Sequence, residues 1–139
     1  MAPLSKKKKI LAIDDDADIL SSLEQLLLFE NFDIVSAPNG KVALEKLDQL
    51  GDGNLPDLIL LDYMMPEMDG GEFCSEKAKH KRLENIPVVV MTAKKDIASL
   101  TRSFYADAYI NKPMDVDTVM DLAYNFIDRR NAAKYSFLT

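Results

Sequence analysis

Five short apolar runs, each followed by apolar positions at helical spacing, organise this chain. The runs lie at roughly 9 to 13, 33 to 37, 57 to 62, 86 to 91 and 107 to 110, and they read as strands because they are short, bounded by turn-forming residues and often β-branched. After the first run, Ile19, Leu20, Leu23, Leu26 and Leu27 recur on one helix face, with Asp16 or Asp18 placed to cap the first turn. Asn39-Gly40 opens a second helix carrying Val42, Ala43, Leu44, Leu47 and Leu50, which Gly51-Asp52-Gly53-Asn54 ends before Pro56. A third helix is predicted from Glu72 to Arg82 and a fourth over about Lys95 to Tyr105. A fifth runs from Val116 to about Arg130, with Val119, Met120, Leu122, Ala123, Phe126 and Ile127 on its apolar side. Strand and helix alternating five times imply an α/β domain with a doubly wound parallel sheet, right-handed crossovers and helices on both faces. Functional groups in such a sheet gather at the carboxyl ends of the strands.

Composition narrows the class. A chain of 139 residues is one domain of ordinary size, and 47% apolar with 29% charged residues is the balance of a soluble globular protein. The apolar runs are too short to span a bilayer, so membrane insertion is not expected. Seventeen basic against 23 acidic side chains give a net charge of −6, which argues against a nucleic-acid partner. Residues 1–9 form a basic lead-in whose Lys6 to Lys9 run reads as solvated rather than as a targeting patch. One cysteine, Cys74, rules out an internal disulfide, and the N-terminus lacks the apolar segment of a secretory signal, so a cytoplasmic location is expected.

The strand ends carry the chemistry. Asp14-Asp15-Asp16 close the first run and Asp62 closes Leu58-Ile59-Leu60-Leu61; Thr92 follows Val88-Val89-Val90-Met91, and Lys112 follows Tyr109-Ile110-Asn111. Neighbouring strands would bring at least three acids together, which is tolerable only with a cation between them or a proton on one. Oxygen ligands without histidine or cysteine favour Mg²⁺ or a similar hard ion. Acids for a metal, a further acid, a hydroxyl and an ammonium are the parts needed to move a phosphoryl group onto a carboxylate.

The segments Ile10 to Asp16, Leu60 to Gly70, Met91-Thr92-Ala93 and Ala106 to Pro113 resemble receiver domains of two-component response regulators, the chemotaxis receivers among them. The likeness runs from about Ile10 to Arg130, which makes 10–130 the expected receiver domain and 131–139 a C-terminal tail with no output domain. It implies a flavodoxin-like fold with strand order 2-1-3-4-5. Carried over, it makes Asp62 the phosphoacceptor, Asp14 and Asp15 the acid pair that holds Mg²⁺ with Asp62, and the backbone carbonyl of Met64 a further metal ligand. Thr92 matches the hydroxyl that bonds the phosphoryl group, Lys112 the lysine that pairs with it, and Thr92 with Tyr109 the switch pair. The donor would be a sensor histidine kinase or a histidine phosphotransfer protein, and the signal would pass by contact to a downstream protein, from a monomer or a phosphorylation-dependent dimer. The protein would not be an enzyme beyond promoting its own phosphorylation and dephosphorylation.

Other residues have plainer readings. Asp16 caps the first helix or contacts metal-bound water. Asp69-Gly70-Gly71 are turn residues, Cys74 a partly buried helix residue and His80 a surface residue within a helical segment. The stretch between Thr92 and Lys112 is shorter than usual in the family, which trims the fourth helix or its entry. Two other readings are a constitutive receiver-like interaction module and a metal-dependent phosphohydrolase. The module has no reason to keep Asp14, Asp15, Asp62, Thr92 and Lys112 together, and the hydrolase lacks a second aspartate where Met64 stands.

Overall fold

The computed structural model describes residues 7–63, 65, 68–92, 106–111 and 116–129. Five strands, β1 (Lys9–Ile13), β2 (Asp33–Ala37), β3 (Leu58–Asp62), β4 (Val88–Thr92) and β5 (Ala108–Asn111), form one parallel sheet in the order β2-β1-β3-β4-β5. The chain reverses its direction of travel between β1 and β3, so their carboxyl ends flank the cleft where an open sheet of this kind holds a ligand.

Burial follows from that order. β3 and β4 are covered on both sides and every residue of each is buried, which is why they read as unbroken apolar runs. β2 lies at an edge, is half-buried over four of its five residues, and so mixes polar with apolar side chains. Alternate side chains of the sheet feed two cores. One joins Ile10, Ala12, Leu58, Leu60, Val89 and Met91 to α1 (Ala17–Phe29) and to the last helix, α4 (Val116–Arg129). The other joins Leu11, Ile13, Ile59, Leu61, Val88 and Val90 to α2 (Gly40–Gln49) and α3 (Gly70–Ala78).

Local chemistry sets the helix ends. Asp16 caps α1 by accepting from the N–H groups of Asp18 at 2.9 Å and Ile19 at 3.3 Å, and Asn39 caps α2 by accepting from Val42 at 2.9 Å. α1 ends with Asn31 at φ 70°, the left-handed conformation that asparagine tolerates better than most residues. Phe32 N–H reaches Leu27 O at 2.9 Å and Asn31 N–H reaches Leu28 O at 3.0 Å, the paired bonds of a Schellman end.

α3 differs from expectation at both ends. It begins at Gly70 rather than Glu72, because Asp69 and Glu72 form a capping box that makes the two glycines its first turn. It ends at Ala78, His80 is extended, and Lys81–Leu83 form a separate 3₁₀ turn. The reason lies outside the segment: Arg82 turns to α2, donating to Leu47 O at 3.2 Å, Leu50 O at 2.6 Å and Asp52 Oδ1 at 2.9 Å, while Leu83 enters the core. The helix expected over Lys95 to Tyr105 lies outside the described residues. Among the described residues, no helix is long and apolar enough to cross a membrane.

Candidate functional site

Register brings the acids together. Ile13 pairs with Leu61, so Asp14 and Asp62 stand side by side one step further along, where apolar side chains have run out. Asp14 is fully buried and Asp62 is 6% exposed, whereas Asp15 is exposed. One carboxylate oxygen from each of Asp14, Asp15 and Asp62 lies within 4.8 Å of the others. Oxygens around a hard cation of magnesium size, at about 2.1 Å from the ion, stand roughly 3 to 4 Å apart, so little closure is needed to seat one. The residues present therefore fit such an ion in number, chemistry and spacing.

The acids are held from behind. Asp14 N–H donates to Ala37 O at 3.1 Å, which ties it to the end of β2, and its Oδ1 accepts from Asp16 N–H at 2.9 Å. Asp62 is held by its successor: Tyr63 N–H donates to Met91 O at 3.1 Å and Tyr63 O accepts from Gly70 N–H at 2.9 Å. This second bond needs glycine. A Cβ on Gly70 would stand 3.1 Å from Tyr63 Cα and 3.2 Å from its Cδ1. The sequence marked Gly70 only as a turn residue; its close approach to the backbone after Asp62 is a tertiary fact with no pattern of its own.

Thr92 ends β4, one position past Met91, which pairs with Asp62. Its side chain is buried, and among the described residues its Oγ1 has no hydrogen-bond partner. A buried hydroxyl left without a partner costs on the order of 1 to 3 kcal/mol, so this strand end has a donor to offer a ligand. Thr92 pairs with Asn111 on β5; Lys112 follows Asn111 and lies outside the described residues, as does Met64. Tyr109 is half-buried against the α2 and α3 core. Burial, followed by the nearby Cys74, pushes its phenol above the ordinary value, with the Ala106 backbone opposing.

The remaining candidates are structural. Asp16 caps α1, Cys74 is half-buried on α3, His80 is exposed, and Met65 and Met68 pack against the second core. Burial raises the Cys74 thiol to about 11, with Lys77 opposing and Asp107 adding to the rise.

The family described as "Response regulator receiver domain" matches residues 10–124. The chain is 35% identical over 137 residues to "Histidine kinase P4" of Formosa agariphila, covering 95% of this chain and 10% of that protein. It is also 35% identical over 108 residues to the "Alkaline phosphatase synthesis transcriptional regulatory protein PhoP" of Bacillus subtilis, covering 76% of this chain and 42% of that one. It spans half or less of the length of the curated relatives it matches. Among solved structures, the signal receiver domain of a signal transduction histidine kinase from Syntrophus aciditrophicus superposes with a TM-score of 0.79 at 25% identity, over 91% of this chain and 94% of that one. The chemotaxis protein CheY4 of Vibrio cholerae, at 22% identity and a TM-score of 0.77 over 87% of this chain and 99% of that one, shares the fold.

Proposed function

The chain belongs to the response regulator receiver domain family, and from that premise we propose that it accepts a phosphoryl group on Asp62 in a magnesium-dependent reaction and switches conformation to signal by protein contact. The observation that carries this reading is the convergence of the Asp14, Asp15 and Asp62 carboxylates on the strand ends beside the unpartnered hydroxyl of Thr92. The phosphoryl donor is a phosphohistidine of a sensor kinase or of a phosphotransfer protein.

An oxygen of the Asp62 carboxylate attacks phosphorus in line. The new O–P bond forms as the bond from phosphorus to the donor's imidazole nitrogen breaks, and that nitrogen leaves with the electron pair and is protonated. Magnesium bound by Asp14, Asp15, Asp62 and the carbonyl of Met64 would supply charge neutralisation for the attacking and transferred oxygens. The Thr92 hydroxyl donates to one phosphoryl oxygen and the Lys112 ammonium pairs with another. As Thr92 moves toward its new acceptor, Tyr109 turns into the space released, which alters the face around β5 and α4. The aspartyl phosphate is lost again by hydrolysis within the same site.

Intact mass after incubation with acetyl phosphate and Mg²⁺ tests the proposal, with Asp62→Asn and a metal-free sample alongside. One phosphoryl adduct that needs both Asp62 and the metal is expected. No adduct in a sample that still binds Mg²⁺ would replace the switch with a constitutive interaction module.

A further inference from the structure

Beside Tyr63, the residue that follows Asp62, a groove of about 430 Å³ opens along α3. Among the described residues its floor is Tyr63 and Met68, each half-buried against the second core. Both are held from beneath. A Cβ on Gly40 of α2 would stand 2.9 Å from Met68 Sδ, so Met68 rests on α2, and one on Gly70 would stand 3.2 Å from Tyr63 Cδ1, so that ring rests on the start of α3.

α3 supplies the wall. It buries Gly70, Phe73 and Lys77 and leaves Gly71, Glu72, Ser75 and Glu76 outside the core. Gly71 and Ser75 are small and one turn apart, which lets another backbone come close. Glu72 and Glu76, also one turn apart, stand about 6 Å from each other along the helix axis. Asp69 adds a third acid. The Asp69 carboxylate accepts from Glu72 N–H at 2.9 Å and the Glu72 carboxylate from Asp69 N–H at 3.1 Å, and among the described residues neither is paired with a cation. Two such charges outweigh the roughly half positive charge of the helix start. Glu76 pairs with Lys79 at 2.7 Å, but that pair is exposed and contributes little, so it is open to exchange.

We propose that this groove docks a helix of another protein, one that carries two basic residues a turn apart to pair with Glu72 and Glu76 and an apolar side chain between them to seat on Tyr63 and Met68. Arginine or lysine stems cover apolar floor while their charged heads stay wet and meet the carboxylates on the rim. The same acids repel the phosphates of lipid and nucleic acid, which leaves a protein as the fitting partner. An occupant rests on the residue next to Asp62, within reach of the acceptor segment. Docking needs neither a phosphoryl group nor a metal, so its failure would leave the phosphoacceptor reading untouched.

The test is a titration of the full chain, labelled with ¹⁵N, with an alanine-based helical peptide bearing two arginines four positions apart and a leucine between them. Saturating amide shifts centred on Tyr63, Gly71, Glu72 and Ser75 are expected, and the same peptide with glutamates for the arginines should produce none. Glu72→Gln with Glu76→Gln keeps a side chain able to complete the Asp69 capping box and is expected to weaken binding about tenfold. Ser75→Leu fills the groove with every acid in place and is expected to weaken it by a similar factor. Unchanged affinity in the glutamine variant would overturn the proposal, since charge would not then hold the peptide. Unchanged affinity in Ser75→Leu would also overturn it, leaving only diffuse attraction to an acidic surface, and shifts centred elsewhere on the domain would do the same.

Discussion

The backbone N–H of Asp16 donates to Oδ1 of Asp14 at 2.9 Å, so the residue that caps α1 with its side chain orients a buried acid with its backbone. The two roles separate by substitution. Asp16→Ala keeps the N–H and loses only the cap, and is expected to lower stability in urea by about 1 kcal/mol. Mg²⁺ affinity should stay within a few-fold of the parent. Asp14→Asn is expected to do the reverse: the metal-free fold gains stability as like charge is relieved, and the stabilisation by Mg²⁺, worth about 2.7 kcal/mol at a hundred times Kd, disappears. Urea titrations with and without Mg²⁺ measure both. Metal affinity lost in Asp16→Ala would make that carboxylate part of the metal site.

Among the described residues the Thr92 hydroxyl is buried without a hydrogen-bond partner, which should cost the resting protein stability. Valine at this position has nearly the same shape and no hydroxyl to strand, so Thr92→Val is expected to raise the stability of the unphosphorylated protein by about 1 kcal/mol. The same change removes a donor to the phosphoryl group. Acetyl phosphate should therefore stabilise the parent and Thr92→Ser more than Thr92→Val. Destabilisation of the resting protein by valine would show that the hydroxyl already has a partner.

Gly70 tests how finely the acceptor is placed. An alanine Cβ at 3.1 Å from Tyr63 Cα must push the backbone that follows Asp62, although alanine's helix preference over glycine returns about 1 kcal/mol. Gly70→Ala is expected to leave overall stability within about 1 kcal/mol and to slow phosphorylation from acetyl phosphate by about tenfold. Gly53→Ala, with nothing within 4 Å of the new Cβ, is the control and should change neither. Equal rates for the two variants would mean that the loop yields without moving Asp62.

Cys74 should behave as an inert thiol until strongly alkaline pH. Burial holds its pKa near 11 in the folded chain against an ordinary 9.0, so between these values the unfolded chain gives up a proton that the folded one keeps. Stability then falls as pH rises from about 9 to 11, and this part of the fall should be missing from Cys74→Ala. Lys77, buried on α3 and pushed below its ordinary value by that burial, works in the opposite sense over part of the same range, so the difference between parent and variant is the quantity to measure. Alkylation of Cys74 by iodoacetamide should follow the same pH dependence. Fast alkylation at pH 8 would contradict it.

Sequence pattern revealed most where a single face or a strand end decided the outcome. Leu58 to Leu61 could hardly be other than a strand covered on both sides, and Asp14 and Asp62 stood out because each closes such a run. α3 was less legible because two glycines open it and Lys79 to Arg82 close it without any apolar repeat; only the Asp69 to Glu72 spacing marks the start. Arg82 looked like a helix residue and instead caps α2, a contact between segments far apart in the chain. Neither the pressure of Gly70 on Tyr63 nor the missing partner of Thr92 leaves a trace in local pattern, since both depend on what another strand or helix brings near.

Asp62 closes a strand whose five residues are all buried, with a hydrogen-bonded neighbour on each side. A segment of that kind becomes accessible to a protease only when the domain opens globally. Proteolysis is therefore not expected to begin at Asp62. If Asp62 carries a phosphoryl group as proposed, the persistence of that mark and the persistence of the polypeptide become independent quantities, the first set by water reaching one anhydride bond and the second by the stability of the entire sheet.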